Sequence, residues 1–157
     1  YMAALRLSAS GETEAAIASL ATLGPDAAGG YALIARFREA AARSASNDID
    51  GAVRIYDELA ADSGQGPLFR ELAALQAATL LLDSGDPGAL ATRLAPLAQD
   101  GKPWRYSARE LQALLKLRAG DREAATAAFK ALAEDAAAPA GLRSRARELV
   151  AALGGSV

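Results

Sequence analysis

At 157 residues the chain has the length of one ordinary domain or one solenoid, and a net charge of −2 gives no support to phosphate-neutralising nucleic-acid binding. It has no cysteine and no histidine, which removes disulfides, thiolate chemistry, the commonest general base and the commonest metal ligand. Hydrophobic residues make up 52% of the chain but aromatics only 5%, so much of the apolar content is alanine. Alanine favours helix and close helix approach and supplies few bulky anchors.

Residues 1–9 read as the tail of a helix that ends at Gly11. The chain thus opens inside an element, and an N-terminal part of the full protein is expected to precede it. Residues 12–23 read as the partner helix, closed by Gly24-Pro25, with 26–29 as loop and Gly29-Gly30 before the next element. Helices over 31–45 and 48–62 follow, turning at Asn47, and Ser63-Gly64-Gln65-Gly66 reads as a linker. Pro67 suits a first helical turn, where no amide donor is needed. Helices over 67–83 and 87–99 turn at Gly85, and Asp100-Gly101-Lys102 breaks the run. Helices over 103–118 and 121–135 turn at Gly120, with Asp121 as cap. The last helix spans 139–153 and carries Arg143, Arg145 and Arg147, the polar side expected of a terminal cap. No run alternates as a strand does. The most apolar run, 72–82, is too short to span a membrane.

The four turns are spaced by 36, 38 and 35 residues, and columns of like residues align on them. Seven residues before each turn stand Ala4, Ala40, Ala78 and Ala113. Five after stand Ala16, Ala52, Leu90 and Ala125; nine after, Leu20, Tyr56, Leu94 and Phe129; twelve after, Leu23, Leu59, Leu97 and Leu132. Sixteen before the last three turns stand the aromatics Tyr31, Phe69 and Trp104. Two helices per period in the mid-thirties specify an all-α fold. It is an α-solenoid of about four helical hairpins plus a C-terminal capping helix, forming one domain over 1–157. Gly85, Gly120 and Asn47 are expected at positive φ, because Gly and Asn best tolerate the left-handed position past a helix end. The aromatic column is expected to pack against neighbouring hairpins.

Candidate chemistry is sparse. Ser46, Asp48, Asp50, Gly51 and Asp57 have part of a calcium-loop spacing, but Ile49, Val53, Tyr56 and Leu59 keep helical spacing through it, which favours acidic capping of a helix start. The acid pairs Asp57/Glu58 and Glu134/Asp135 are adjacent in sequence, point about 100° apart on a helix and read as solvated surface. Gly64-Gln65-Gly66 has no preceding strand and is no phosphate loop. One polar column stands out: Arg36, Glu39 and Arg43 in repeat two, and Arg109, Gln112 and Lys116 in repeat four, with Leu81 in the Arg43 place of repeat three. Lined up on a concave face, these would make a groove that is basic, apolar and basic, suited to an extended segment with acidic and apolar side chains. An ordinary solvated helix face is the competing reading.

The small, aromatic and apolar columns at Ala40/Ala113, Ala52/Ala125, Tyr56/Phe129 and Leu59/Leu132 resemble the tetratricopeptide repeat, with Arg36, Ala74 and Arg109 departing from its large apolar position and Leu90 from a small one. Gly101-Lys102-Pro103-Trp104-Arg105-Tyr106-Ser107-Ala108-Arg109-Glu110, then Ala119-Gly120-Asp121, then Ala138-Pro139-Ala140-Gly141-Leu142-Arg143, resemble the repeat domain of the ancillary SecYEG translocon subunit family in its α-proteobacterial form. That resemblance implies an N-terminal membrane anchor and a domain on the periplasmic side of the inner membrane. It also implies association with the translocon or with periplasmic chaperones, and neither catalytic residues nor cofactor. The expected function is therefore a non-catalytic scaffold for a protein or extended peptide. A structural or self-association domain of a cell-envelope assembly is the alternative, and a cytoplasmic location stays open.

Overall fold

The computed structural model describes residues 1–23 and 31–156. The expected turn at Gly24-Pro25 and the loop through Gly29-Gly30 lie outside the described residues. Among the described residues the structure is all helical, with no strand. The chain divides into two compact units, Tyr1–Leu80 and Leu81–Val157.

The first unit holds α1 (Met2–Ala9), α2 (Thr13–Ala21), α3 (Tyr31–Ala45), α4 (Ile49–Ala61) and α5 (Pro67–Leu80). Each packs on the next in chain order, the solenoid-like arrangement in which every hairpin buries its face on its neighbour. The second unit holds α6 (Pro87–Leu94), α7 (Arg105–Arg118), α8 (Arg122–Glu134) and α9 (Ala140–Ala152), again packed in sequence.

The repeat columns are the core. Ala4, Ala40, Ala78 and Ala113 are all at or below 1% exposed. Ala4 clusters with Leu20, Ala40 with Ala52, and Ala113 with Ala125 and Phe129, so in these three hairpins a small residue lets the two helices approach closely. Ala16, Ala52, Leu90 and Ala125 are buried, as are Leu20, Tyr56, Leu94 and Phe129. Of the last column, Leu59, Leu97 and Leu132 are buried and Leu23 is half-buried. In the second unit α9 lays Leu142, Ala146 and Val150 on the cluster around Phe129 and leaves Arg145 and Arg147 exposed. The aromatic column behaves differently: Tyr31 and Phe69 are exposed and Trp104 is half-buried.

Local chemistry explains the turns. Gly11, Asn47 and Gly120 have φ of 80°, 67° and 83°. After each, the next amide bonds five residues back, Glu12 to Leu7 O, Asp48 to Arg43 O and Asp121 to Lys116 O, which satisfies a carbonyl the helix end would orphan. Gly154 closes α9 the same way at φ 77°. Asp48, Asp86 and Asp121 cap the following helices, accepting from the amides of Gly51, Ala89 and Ala124 at 2.8–3.0 Å.

Gly85 departs from the expectation, since its φ is not positive. Its amide instead bonds Leu81 O four residues back. Asp86 precedes Pro87 and is extended at ψ 125°, because the proline ring excludes helical backbone before it. The carbonyls at this turn are taken by Arg118 of α7, whose guanidinium reaches Leu82 O at 2.7 Å and Gly85 O at 2.6 Å. α6 also stops at Leu94, short of the expected 99. Pro96 has no amide proton to continue the ladder, and residues 95–98 form turns.

Candidate binding grooves

The predicted polar column separates into two sets, one in each unit. In the first, Arg36 of α3 is ion-paired with Glu58 of α4. The pair borders a cleft of about 320 Å³ with Leu33, Leu59, Asp62 and Gln65. Glu39 is only 5% exposed, and its Oε1 accepts from Arg43 Nε and Nη2 at 3.1 and 3.0 Å. Arg43 Nη1 donates to Asp48 Oδ2 at 2.8 Å. Arg43 is thus held inside its own hairpin, tying the last turn of α3 to the cap of α4.

Asp48 is a cap and an ion-pair partner, the helix-start role its sequence position favoured. Its carboxyl is held below the ordinary carboxylate range first by the hydrogen bond from Arg43, then by the Gly51 amide. A carboxyl lowered on folding stabilises the fold above its ordinary value near ~4 and loses that contribution as pH falls through the lowered one. Asp62 and Asp135 are lowered too, by Gln65 and by the Ala137 amide respectively as the largest causes. Helicity and melting temperature should therefore fall as pH drops below about 4. Asp48→Asn should shrink that acid-induced drop in a circular-dichroism titration; an unchanged drop would count against the Arg43–Asp48 bond.

In the second unit the predicted trio is together. Arg109, Gln112 and Lys116 of α7 face Ala128 and Leu132 of α8 and Asp135 just past its end across a cleft of about 330 Å³. Arg109 donates from Nε to Ala98 O at 2.9 Å and from Nη2 to Asp100 Oδ1 at 2.6 Å. Lys116 is exposed and pairs with no carboxylate among the described residues. The two clefts are repeat-equivalent: Arg36, Glu58, Leu59 and Asp62 in one stand where Arg109, Ala131, Leu132 and Asp135 stand in the other. Ala131 removes the acid that occupies Arg36 in the earlier hairpin. Leu81, the expected apolar floor, is half-buried and lies in the second unit.

A third cleft was not foreseen. Within the first unit, Ile34, Phe37 and Arg38 of α3 face Phe69, Leu72 and Gln76 of α5 across about 520 Å³, with Leu33 and Tyr56 also lining it. Ile34 is 46% and Phe69 43% exposed, and Leu68 and Tyr31 beside them in sequence are also exposed. Phe69 therefore meets the preceding hairpin, as its column suggested, but as the wall of an open groove. Tyr31 meets the Tyr1 ring at 5.9 Å. The sequence signal was present in α3, where Leu33, Ile34 and Phe37 make an apolar face wider than one neighbouring helix covers.

No protein-family model, no curated protein and no solved structure matches the chain.

Proposed function

We propose that this protein is a non-catalytic scaffold that holds a polypeptide segment of another protein. The observation that carries the reading is the open groove between α3 and α5, walled by exposed Ile34 and Phe69. Large apolar side chains gathered on one exposed face mark interaction surfaces, whereas scattered ones do not. First helices of successive hairpins lining one groove is how helical repeats present a binding face. The α7/α8 cleft adds a polar counterpart, with exposed Lys116 and half-buried Gln112 lining it.

The resemblance of the Gly101–Glu110 and Ala138–Arg143 stretches to ancillary translocon subunits supports a finer version. In it the scaffold works at the periplasmic side of the inner membrane, beside the Sec machinery or the chaperones that receive exported chains.

The test is a photo-crosslinking amino acid placed at Ile34 in the full-length protein in cells. Adducts with translocon subunits, periplasmic chaperones or exporting polypeptides are expected, and Phe69→Ser should abolish them. A crosslinker at exposed Arg147 serves as control. Equal yields from positions 34 and 147, or adducts indifferent to Phe69→Ser, would refute the groove as the binding face.

A further inference from the structure

The α3/α5 groove has an apolar part and a cationic end. Ile34 and Phe37 on α3, with Phe69 and Leu72 on α5, border the apolar part. Arg38 and Gln76 follow on the same two helices, each four residues after an apolar wall residue, Ile34 and Leu72. Four residues advance a helix by about 6 Å, so on each wall the polar group lies one turn beyond the apolar one. No carboxylate lines the groove. Arg38 is exposed and neither pairs with a carboxylate nor donates to a carbonyl among the described residues, whereas Arg36, Arg43, Arg109 and Arg145 each have a carboxylate and Arg118, Arg122 and Arg147 donate to carbonyls. Arg38 thus brings to a mainly apolar groove a positive charge that no lining carboxylate offsets.

We propose that this groove receives a partner segment presenting a large apolar side chain and, about one helical turn or two extended residues away, a carboxylate. The apolar group fills the space between Ile34, Phe37, Phe69 and Leu72, and the carboxylate meets the Arg38 guanidinium and the Gln76 amide. The inference rests on the scaffold reading and adds the chemistry of what is held. A second copy of this chain is the poorer occupant. A two-fold contact through this face would set one Arg38 face on another and supply no acid from the groove to either.

Short fluorescent peptides of one scaffold test this with the intact chain by anisotropy. Each has a Leu-Phe pair followed, two or four residues on, by Glu, Gln or Lys, and a fourth has Ser in place of Leu and Phe. The Glu peptide should bind about fivefold more tightly than the Gln peptide at low salt and about tenfold more tightly than the Lys peptide. Arg38→Glu should reverse the Glu–Lys order, and Phe69→Ser should weaken every peptide. Both positions are exposed, and unchanged far-UV circular dichroism confirms folding of the variants. Equal affinity for the Glu, Gln and Lys peptides, lost with Phe69→Ser, would overturn the carboxylate and leave the scaffold standing. Binding of no peptide, or binding indifferent to Phe69→Ser, would overturn both. A concentration-dependent dimer in sedimentation that Phe69→Ser abolishes would assign the groove to a second copy instead.

Discussion

Replacing Arg43 by alanine should lower the unfolding free energy by about 3 kcal/mol, in the range found when one partner of a buried ion pair is removed. The magnitude comes from what is left behind. Glu39 is nearly inaccessible to water, and its Oε1 accepts twice from the Arg43 guanidinium. Without it a carboxylate largely shut off from water keeps no cation beside it, which is costly. The third bond of Arg43, to Asp48, is also lost, so the α4 cap loosens. An exposed pair would behave otherwise: Lys130→Ala, which removes the 3.9 Å contact to Glu134, should change stability by less than ~1 kcal/mol. The double variant Glu39→Ala with Arg43→Leu is the decisive control. It installs the residue types found at the equivalent positions 77 and 81, and it removes the uncompensated charge. It should recover most of the loss, as replacing a whole buried pair often does. Urea unfolding of the three variants measures this. A double variant as unstable as Arg43→Ala would show that the cost lies in packing and not in the orphaned charge.

Phe129→Ala should cost more still, about 3–5 kcal/mol. Phe129 is wholly buried in the second unit, among Tyr106, Leu132, Leu142 and Val150 with alanines at 113, 125, 133, 138 and 146. Alanine neighbours have no rotamers with which to fill a hole, so the cavity should persist and the penalty should sit at the upper end. Phe129→Leu keeps most of the volume and should cost under ~1.5 kcal/mol. The single tryptophan, Trp104, lies in the same unit and reports its unfolding by fluorescence. A Phe129→Ala loss below that of Phe129→Leu would mean the alanine-rich core collapses freely, contrary to its close packing.

The sequence by itself determined the hairpins. Asp48 and Asp121 announce helix starts because a short carboxylate reaches an amide three residues on, whatever surrounds it. Gly120 and Asn47 announce helix ends because few other residues tolerate a left-handed backbone. The alanine column at 4, 40, 78 and 113 announced the core because a repeated small residue suits a buried helix face, and all four are buried. Each of these is a local rule, and local rules are written in the sequence. They failed at the third turn, where Gly85 is not at positive φ and its amide bonds Leu81 O, and where another local rule was stronger, since Pro96 cut α6 short.

What only the tertiary structure decided is which residues of a face find a neighbour. Ile34 and Ile55 are the same residue in adjacent helices, yet one is 46% exposed and the other 4%. Spacing fixes the direction of a side chain on its own helix; whether something stands in that direction depends on how the next hairpin packs. The same holds for charge. Arg36 and Arg38 are alike in sequence, but Glu58 of α4 reaches Arg36, while Arg38 is left in an apolar groove that α5 closes from the far side. Partners beyond a side chain's own helix are brought there by burial of apolar area, which sums over the whole hairpin and is not encoded at any one position.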